Sequence, residues 1–454
     1  MNNSNNLNNK SWMEKINQSV GDYELSHIPP AARHGFLTVL FVWVGFNINI
    51  SEIASGALIY SGLGLTKGII AVLIGCLMLG IVGALVGAPC QKLGITYGGF
   101  THYIWGSKGS IYASVMISLG EATWISFLTS MCGTLFNVMF GWPIIPCTII
   151  SGLVFMTTAF VGFRALARLS YFAVFAVFFG LIASAIFALG DKTNIIAQFM
   201  PGEQQSVWWG ITMVYGTWAV GITHTGDIVR FARKPFHASI MTILVFMCSE
   251  MILMTIGGLF AIATGESEII SAFSTAGLVL TGAFVIFLAT WTTADNCLYS
   301  SALPLSSASQ AIGHPIPKWK IVLVLGFLFN VLIAALGLYS FYENFLGILT
   351  IFWVGFAGIA ISDYWLVHKG KGKDKMTIDE VDKKTKSINI PAFIAYGFSC
   401  LVAYLIDYVP HPDLPFILNS SAFDALVVGI LSYWLICVVF TKDKQTGGIE
   451  NVNA

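Results

Sequence analysis

The sequence predicts an all-α polytopic membrane protein. It has twelve transmembrane helices, arranged as a 5+5 inverted repeat with broken helices 1 and 6, plus two C-terminal helices. Three observations carry this. The 454-residue chain is 56% hydrophobic and only 10% charged, far below the roughly 25% charged residues of a soluble domain. Its apolar residues recur in runs near the roughly 20 residues that a helix needs to cross a bilayer core; a barrel would alternate every second residue. Its basic residues also sort by loop. Of 23 Lys and Arg, all but Lys67 and Lys192 fall in alternate connections. Cytoplasmic loops carry the Lys/Arg excess, so both termini are expected on the cytoplasmic side of a cell (inner) membrane.

Taken in order, residues 1–33 form an Asn-rich cytoplasmic tail holding Lys10, Lys15 and Arg33. It lacks the apolar stretch of a cleaved signal peptide. The first repeat, 34–200, holds spans at 36–60, 68–90, 111–139, 143–162 and 169–189. Lys92 and Lys108 lie between spans 2 and 3, and Arg164 and Arg168 between spans 4 and 5. Pro201-Gly202 marks an external turn and opens the second repeat, 201–367, with spans at 207–229, 238–264, 275–302, 320–339 and 343–366. Arg230, Arg233 and Lys234 follow span 6, and Lys318 and Lys320 follow span 8. Residues 368–388, with seven lysines from Lys369 to Lys386, read as a solvated cytoplasmic loop, with anionic lipid headgroups as a second reading. Spans 11 and 12, at 390–409 and 422–441, lie within 389–441, and 442–454 is a cytoplasmic C-terminal tail. Zero net charge suggests no nucleic-acid partner. Cys76, Cys132, Cys248, Cys400 and Cys437 lie inside apolar spans and read as small hydrophobic residues, with no CxxC pattern for metal.

Spans 1–5 and 6–10 have opposite orientation because each set is odd in number. Inverted repeats of this kind build transporters whose sites lie where discontinuous helices meet near the midplane. Both first helices carry the required interruption. Span 1 reads Val44-Gly45-Phe46-Asn47-Ile48-Asn49-Ile50-Ser51-Glu52, and span 6 reads Tyr215-Gly216-Thr217-Trp218-Ala219-Val220-Gly221. Glycine in membrane helices also serves close packing; the matching position in both halves favours the break.

Ionisable groups at membrane depth are functional candidates by default: Glu52, Glu121, His224, Asp227, Glu250 and Asp295. Asp227 and Arg230, three apart, read as a structural ion pair. Glu52 and Glu250 are placed near the outer mouth or on a packed interface. Glu121 shares a helix face with Trp124, and Trp218 lies in the break of span 6. Two indoles can hold a flat heteroaromatic ring, and a carboxylate beside them accepts from ring N–H groups. An interfacial aromatic belt is the alternative for the indoles. Span 8 ends in Ala289-Thr290-Trp291-Thr292-Thr293-Ala294-Asp295-Asn296. Its hydroxyls at Thr292 and Thr293, with the Ala289 carbonyl, suit a hard cation such as sodium. Carbonyls freed at Gly45 and Ile48 would complete the shell. The other reading is that both hydroxyls bond back to their own helix.

These residues resemble a family. Thr225-Gly226-Asp227-Ile228-Val229-Arg230-Phe231-Ala232-Arg233, Trp291-Thr292-Thr293-Ala294-Asp295-Asn296-Cys297-Leu298-Tyr299, Trp105-Gly106-Ser107-Lys108-Gly109-Ser110 and Trp124 are similar to the bacterial cytosine permease branch of the nucleobase–cation symporters. The resemblance covers nearly the whole chain. It implies uptake of a purine, pyrimidine or related ring with sodium or protons. It implies a sodium site at Gly45, Ile48, Ala289, Thr292 and Thr293, the first three through carbonyls. Trp124 and Trp218 match the positions that sandwich the base, and Asn49, Glu121, Gly216 and Thr217 those that line the pocket. Retention of both threonines favours sodium. Two positions depart: Glu121 stands where glutamine is usual, and Asn49 where an aromatic residue is. An ionised carboxylate only accepts, which favours a ring edge rich in N–H donors, or brings a proton into the cycle.

The expectation is therefore a secondary active symporter, not an enzyme, that needs no cofactor beyond Na+ as coupling ion. Its partners are a small nucleobase-like substrate, cytosine or a purine, and the bilayer; function as a monomer is expected. A proton-coupled importer of hydroxymethylpyrimidine or another aminopyrimidine is one alternative. An amino-acid transporter of the same fold is another, but a buried Glu121 would repel its substrate's carboxylate. A membrane-embedded enzyme at His224, Asp227 and Glu250 finds no HExxH-like spacing to support it, and saturable sodium-dependent flux would argue against a channel.

Overall fold

A computed structural model describes residues 27–161, 163–190, 192–201, 204–314, 316–370, 378–384, 386–410 and 419–445. The expected tails lie largely outside them, as does Gly202 of the Pro201-Gly202 turn. The described residues are almost wholly helical, with one parallel backbone bridge between His34 and Ala232.

Span 1 is two pieces. Phe36–Asn47 stops where Asn49 turns extended (φ −143°, ψ 150°), and a new helix starts at Ile50. The Asn49 side chain accepts the Ser51 N–H at 2.9 Å and caps that start. The helix Ile50–Leu93 then changes direction at Gly64, φ +73° and ψ −179°, a backbone that only glycine adopts without strain. It thus holds the second half of span 1, a turn and the whole of span 2. Span 6 breaks at the corresponding place: Val207–Thr217 ends, Trp218 takes φ −119° and ψ 13°, and Ile222–Val229 resumes. Gly109–Phe140, Ile144–Val161 and Phe163–Leu189 are spans 3 to 5. Pro235–Thr264, Val279–Ala311, Lys318–Leu336 and Leu338–Val367 are spans 7 to 10, and Ile390–Tyr408 and Ser421–Gln445 are spans 11 and 12. Among the described residues, seven helical segments are long and apolar enough to cross a membrane, and spans 1, 4, 5, 6 and 8 bring the crossings to twelve.

Three details depart from the expected boundaries. The helix of span 5 starts at Phe163, so the expected 4–5 loop is its first turns. Span 8 continues to Ala311 through Pro304. Spans 7, 9 and 10 contain π-helical stretches, Val245–Glu250, Gly326–Ile333 and Ser362–Val367.

Large apolar side chains such as Phe41, Phe172 and Leu280 point outward, as lipid-facing surfaces require. Inside, small residues let backbones meet. A Cβ placed on Gly56 would lie 1.9 Å from the Met254 carbonyl oxygen, and one on Gly257 would lie 1.9 Å from that of Ile53. The second half of span 1 is thereby locked onto span 7.

The basic connections gather at one end of the bundle. Ile28 N–H donates to the Gly94 carbonyl (2.8 Å) and His34 N–H to that of Phe231 (2.7 Å). Lys92 Nζ donates to the Gly370 carbonyl (2.9 Å) and Lys108 N–H to that of Ser387 (2.8 Å). The Lys-rich loop is not uniformly solvated. Within it, Ile378–Lys384 is a short helix that docks on Tyr97–Trp105. Val381 is buried, Ile378 lies against Gly99, and Asp382 pairs with His102 at 3.0 Å. Ile378 and Val381, three apart, give that helix the apolar side that solvation alone would not need. Lys371, Lys373 and Lys375 lie outside the described residues.

Candidate functional site

Where the breaks of spans 1 and 6 meet spans 3, 8 and 10, side chains line a pocket. Phe46 and Asn49 line it from span 1, Glu121 and Trp124 from span 3, and Thr217, Trp218, Val220 and Gly221 from span 6. Span 8 adds Thr293 and Cys297, and span 10 adds Leu349. Five of the six residues expected to line a substrate site are thus brought together. Gly216 is not among them. It faces span 10, where an added Cβ would come within 3.0 Å of Leu346; its role in the structure is close helix packing. Thr217 lines the pocket but turns its hydroxyl back to the Val214 carbonyl at 2.7 Å.

Both indoles are held by other rings. Trp124 stacks on Phe345 (centroids 5.5 Å apart, planes at 21°) and leans on Phe127 (5.3 Å). Trp218 meets Trp43 and Phe246 edge-on, each at 5.4 Å. Edge-to-face and offset contacts of this kind fix a ring's plane. Phe46 is a third pocket ring that the sequence reading passed over; it lies 5.9 Å from Trp218 and 6.0 Å from His224. Its position between Gly45 and Asn47, at the last turn before the break, was the available signal.

The charged groups divide into two sets. In the first, His224 Nε2 lies 2.5 Å from Glu121 Oε1, though off the direction of a hydrogen bond, and His224 Nδ1 lies 3.4 Å from Asp227 Oδ2. The imidazole therefore sits between two carboxylates, and Glu121 stands beside it at the pocket wall. Asp227 also accepts the Tyr97 N–H at 2.8 Å. The expected Asp227–Arg230 pairing takes a different form: Arg230 Nε donates to the Asp227 backbone carbonyl at 3.0 Å, because the carboxylate is turned inward to Tyr97 and His224.

In the second set, Glu52 and Glu250 are neither at a mouth nor apart. They converge behind Trp218, whose single indole N–H lies 3.0 Å from Glu52 Oε1 and 3.0 Å from Glu250 Oε2. Asn47 Nδ2 donates to Glu250 Oε2 at 2.7 Å, and Asn49 Nδ2 approaches Glu52 Oε1 at 3.3 Å. Glu250 closes the π-helical turn of span 7, a feature frequent at functional sites. Asp295 belongs to neither set; it accepts from Thr158 of span 4 at 2.6 Å.

Of the residues expected to hold sodium, Thr292 and Thr293 donate to the Ala289 carbonyl at 2.9 and 3.1 Å. A hydroxyl that donates keeps its oxygen lone pairs for a cation, so the helix-bonded geometry leaves both oxygens able to coordinate one. On span 1, Ile48 N–H still reaches the Val44 carbonyl at 3.0 Å. The extended Asn49 then ends the helix and deprives the Gly45 turn of helical donors.

Residues 27–435 match the family described as permease for cytosine/purines, uracil, thiamine and allantoin. The cytosine permease of Escherichia coli strain K12 is 26% identical over 432 residues, covering 94% of this chain and 96% of the relative. The cytosine permease of strain O157:H7 matches equally. Among solved structures, Mhp1, a nucleobase-cation-symport-1 family transporter in a closed conformation with bromovinylhydantoin bound, superposes with a TM-score of 0.75 at 17% identity, covering 93% of this chain and 96% of that one. The inward-facing conformation of Mhp1 gives 0.75 at 16%, covering 91% and 92%. A Na+-coupled sialic acid symporter shares the fold at 0.55 and 11%, covering 89% and 98%.

Proposed function

This chain belongs to the permease family for cytosine/purines, uracil, thiamine and allantoin, a family of transporters and not of catalysts, and we propose that it imports an aminated nucleobase or related planar heterocycle by sodium symport. The observation that carries the reading is the pocket at the two helix breaks, whose lining includes Trp124, Trp218, Glu121 and Asn49. Stacking supplies affinity for a flat ring at about 1–3 kcal/mol per base. Glu121, beside His224, offers acceptor oxygens to ring N–H or exocyclic NH2 groups, and the Asn49 amide can donate or accept. Cytosine and the aminopurines present such an edge.

The proposed cycle starts with sodium between spans 1 and 8, at the carbonyls of Gly45, Ile48 and Ala289 and the hydroxyls of Thr292 and Thr293. Sodium there steadies the unwound part of span 1. The base then enters between the indoles, the pocket occludes, and the site opens to the cytoplasm, where the termini are expected. One inward charge at 100 mV supplies about 2.3 kcal/mol, or roughly fiftyfold accumulation before any sodium gradient. The test is thermal stabilisation of the purified protein by cytosine, adenine, guanine, uracil, hydantoin and hydroxymethylpyrimidine, each in sodium or choline. An aminated ring that stabilises only in sodium is the expected result. Stabilisation indifferent to sodium would overturn the coupling ion, and none from any ring would overturn the substrate class.

A further inference from the structure

The symporter reading gives Glu52 and Glu250 no task, yet their surroundings call for a ligand. Both are fully buried, on span 1 just past its break and on span 7. Their nearest oxygens share one indole N–H, which puts them within two hydrogen-bond lengths of each other. The donors around them are few. Thr217 lies 3.3 Å from Glu250 Oε1, but its hydroxyl proton is already directed to Val214 at 2.7 Å. Asn47 supplies a good bond to Glu250, and Asn49 a long one to Glu52.

Beside these, three fully buried polar atoms have no partner: the acceptors Glu52 Oε2 and Asn47 Oδ1, and the Ser51 hydroxyl, which can donate or accept. Asn47 is fixed at the pair through its own amide nitrogen, so its free oxygen belongs to the same polar spot. Two further titratable groups face the pair, Cys76 from span 2 and Tyr342 from span 10, whose hydroxyl donates to the Ser51 carbonyl at 2.9 Å. Neither is a cation. Among the described residues neither glutamate has an ion-pair partner, and the one nearby imidazole, His224, is turned to Glu121 and Asp227. Two carboxylates this close and this deep cannot both stay ionised without a cation.

We propose that Glu52 and Glu250 bind one proton between them, a second coupled cation apart from the sodium at spans 1 and 8, and that this proton controls the substrate pocket through Trp218. The inference rests on the symporter reading for its link to substrate. One face of Trp218 belongs to the pocket, and its N–H belongs to the acid pair. With the proton in place, the two acids can bond to each other and hold the indole as a fixed wall. Without it, their repulsion parts them and the wall loses its anchor. Proton and substrate then favour each other's binding by the same factor. Glu121, the first suspect for a proton on sequence grounds, lies instead beside His224.

Two measurements on the purified full chain test this. Infrared difference spectra across about pH 6 to pH 9 should show the C=O stretch of a protonated carboxyl disappearing as pH rises. That band should be absent from both E52Q and E250Q. This arm needs no substrate, so it decides the proton site even where the nucleobase reading fails. In the second arm, with sodium saturating and the best ring from the thermal panel, wild-type affinity should weaken by up to about tenfold per pH unit, the limit for one linked proton. In E250Q it should be flat, and E52Q serves if E250Q does not fold. A band that persists in both variants, or is missing from the wild type at every pH, overturns the proposal. So does a Hill coefficient for sodium that drops from near two to near one in E250Q, which would put a second sodium ion at the acids. Sodium-dependent binding with no pH slope would sink the proton site and leave the symporter standing.

Discussion

Replacing Gly257 by alanine tests whether the acid pair depends on the contact between spans 1 and 7. The new Cβ would sit 1.9 Å from the Ile53 carbonyl oxygen, and ordinary contact begins at 3.4 Å. The obstacle is backbone, not the end of a mobile side chain. The helices must therefore part by roughly 1.5 Å, because packed interiors hold no slack of that size. Overpacking costs about 1–3 kcal/mol, and a backbone-to-backbone contact belongs at the upper end. Glu52 adjoins Ile53, so the same displacement stretches the 3.0 Å contacts that Trp218 makes to Glu52 and Glu250 past hydrogen-bond range. G257A should melt well below the wild type and lose substrate affinity together. G397A is the control: Gly397 lies in the helix of span 11, with nothing within 4 Å of its would-be Cβ. It should be neutral, or stabilising by up to about 1 kcal/mol. The assay is thermal unfolding in detergent followed by size exclusion, with substrate affinity measured in parallel. Equal melting of G257A and G397A would refute the close contact. A destabilised G257A with undiminished affinity would refute its link to the pocket.

Trp124→Ala should weaken substrate binding by about 1–3 kcal/mol of lost stacking, and calorimetry that finds affinity unchanged would sink the aromatic clamp. Thr293→Ala removes one neutral oxygen, worth about 1 kcal/mol. The sodium concentration for half-maximal binding should rise several-fold while affinity at saturating sodium holds; an equal fall in both would misplace the ion. His224→Gln strands the buried carboxylate of Glu121, at a cost of about 3–5 kcal/mol. E121Q introduced into the same chain should recover most of that stability, and additive losses would show that the two residues do not act as a pair.

The span pattern was legible because it rests on quantities summed over many residues, namely apolar run length and the side on which charge falls. The two helix breaks were legible as glycine and polar residues at matching depth. Glu121, Trp124 and Trp218 were singled out by helix face and break position, and Asn49 and Thr217 through the family resemblance; the structure places all five on one pocket. Three features escaped for a common reason. Gly216 entered as a lining residue through the family resemblance, and its packing on Leu346 depends on how spans 6 and 10 meet. His224 read as a free candidate because its partner Glu121 is 103 positions away in sequence. Glu52 and Glu250 are separated by 198 positions, and their meeting on one indole is set by how spans 1, 6 and 7 pack. Contacts across repeats leave no local pattern to read.

The π-helical turn Val245–Glu250 bears on how such a chain changes over time. A π turn carries one more residue than the α-helical turn it interrupts. Deleting a single residue before Glu250 would let the turn relax to α geometry. Glu250, bonded five residues back in the π turn, would then be bonded four residues back and keep its direction toward Trp218. The turn would lose a residue while the acid stayed where it is. One codon can thus be gained or lost there without moving the carboxylate out of the heart of the protein, whereas the same change in an α-helical stretch would turn every later side chain by about 100°. Position counting across relatives that lack the surplus residue will pair Glu250 with the wrong neighbour. In this family, insertions inside a span deserve comparison before the identities of the residues that flank them.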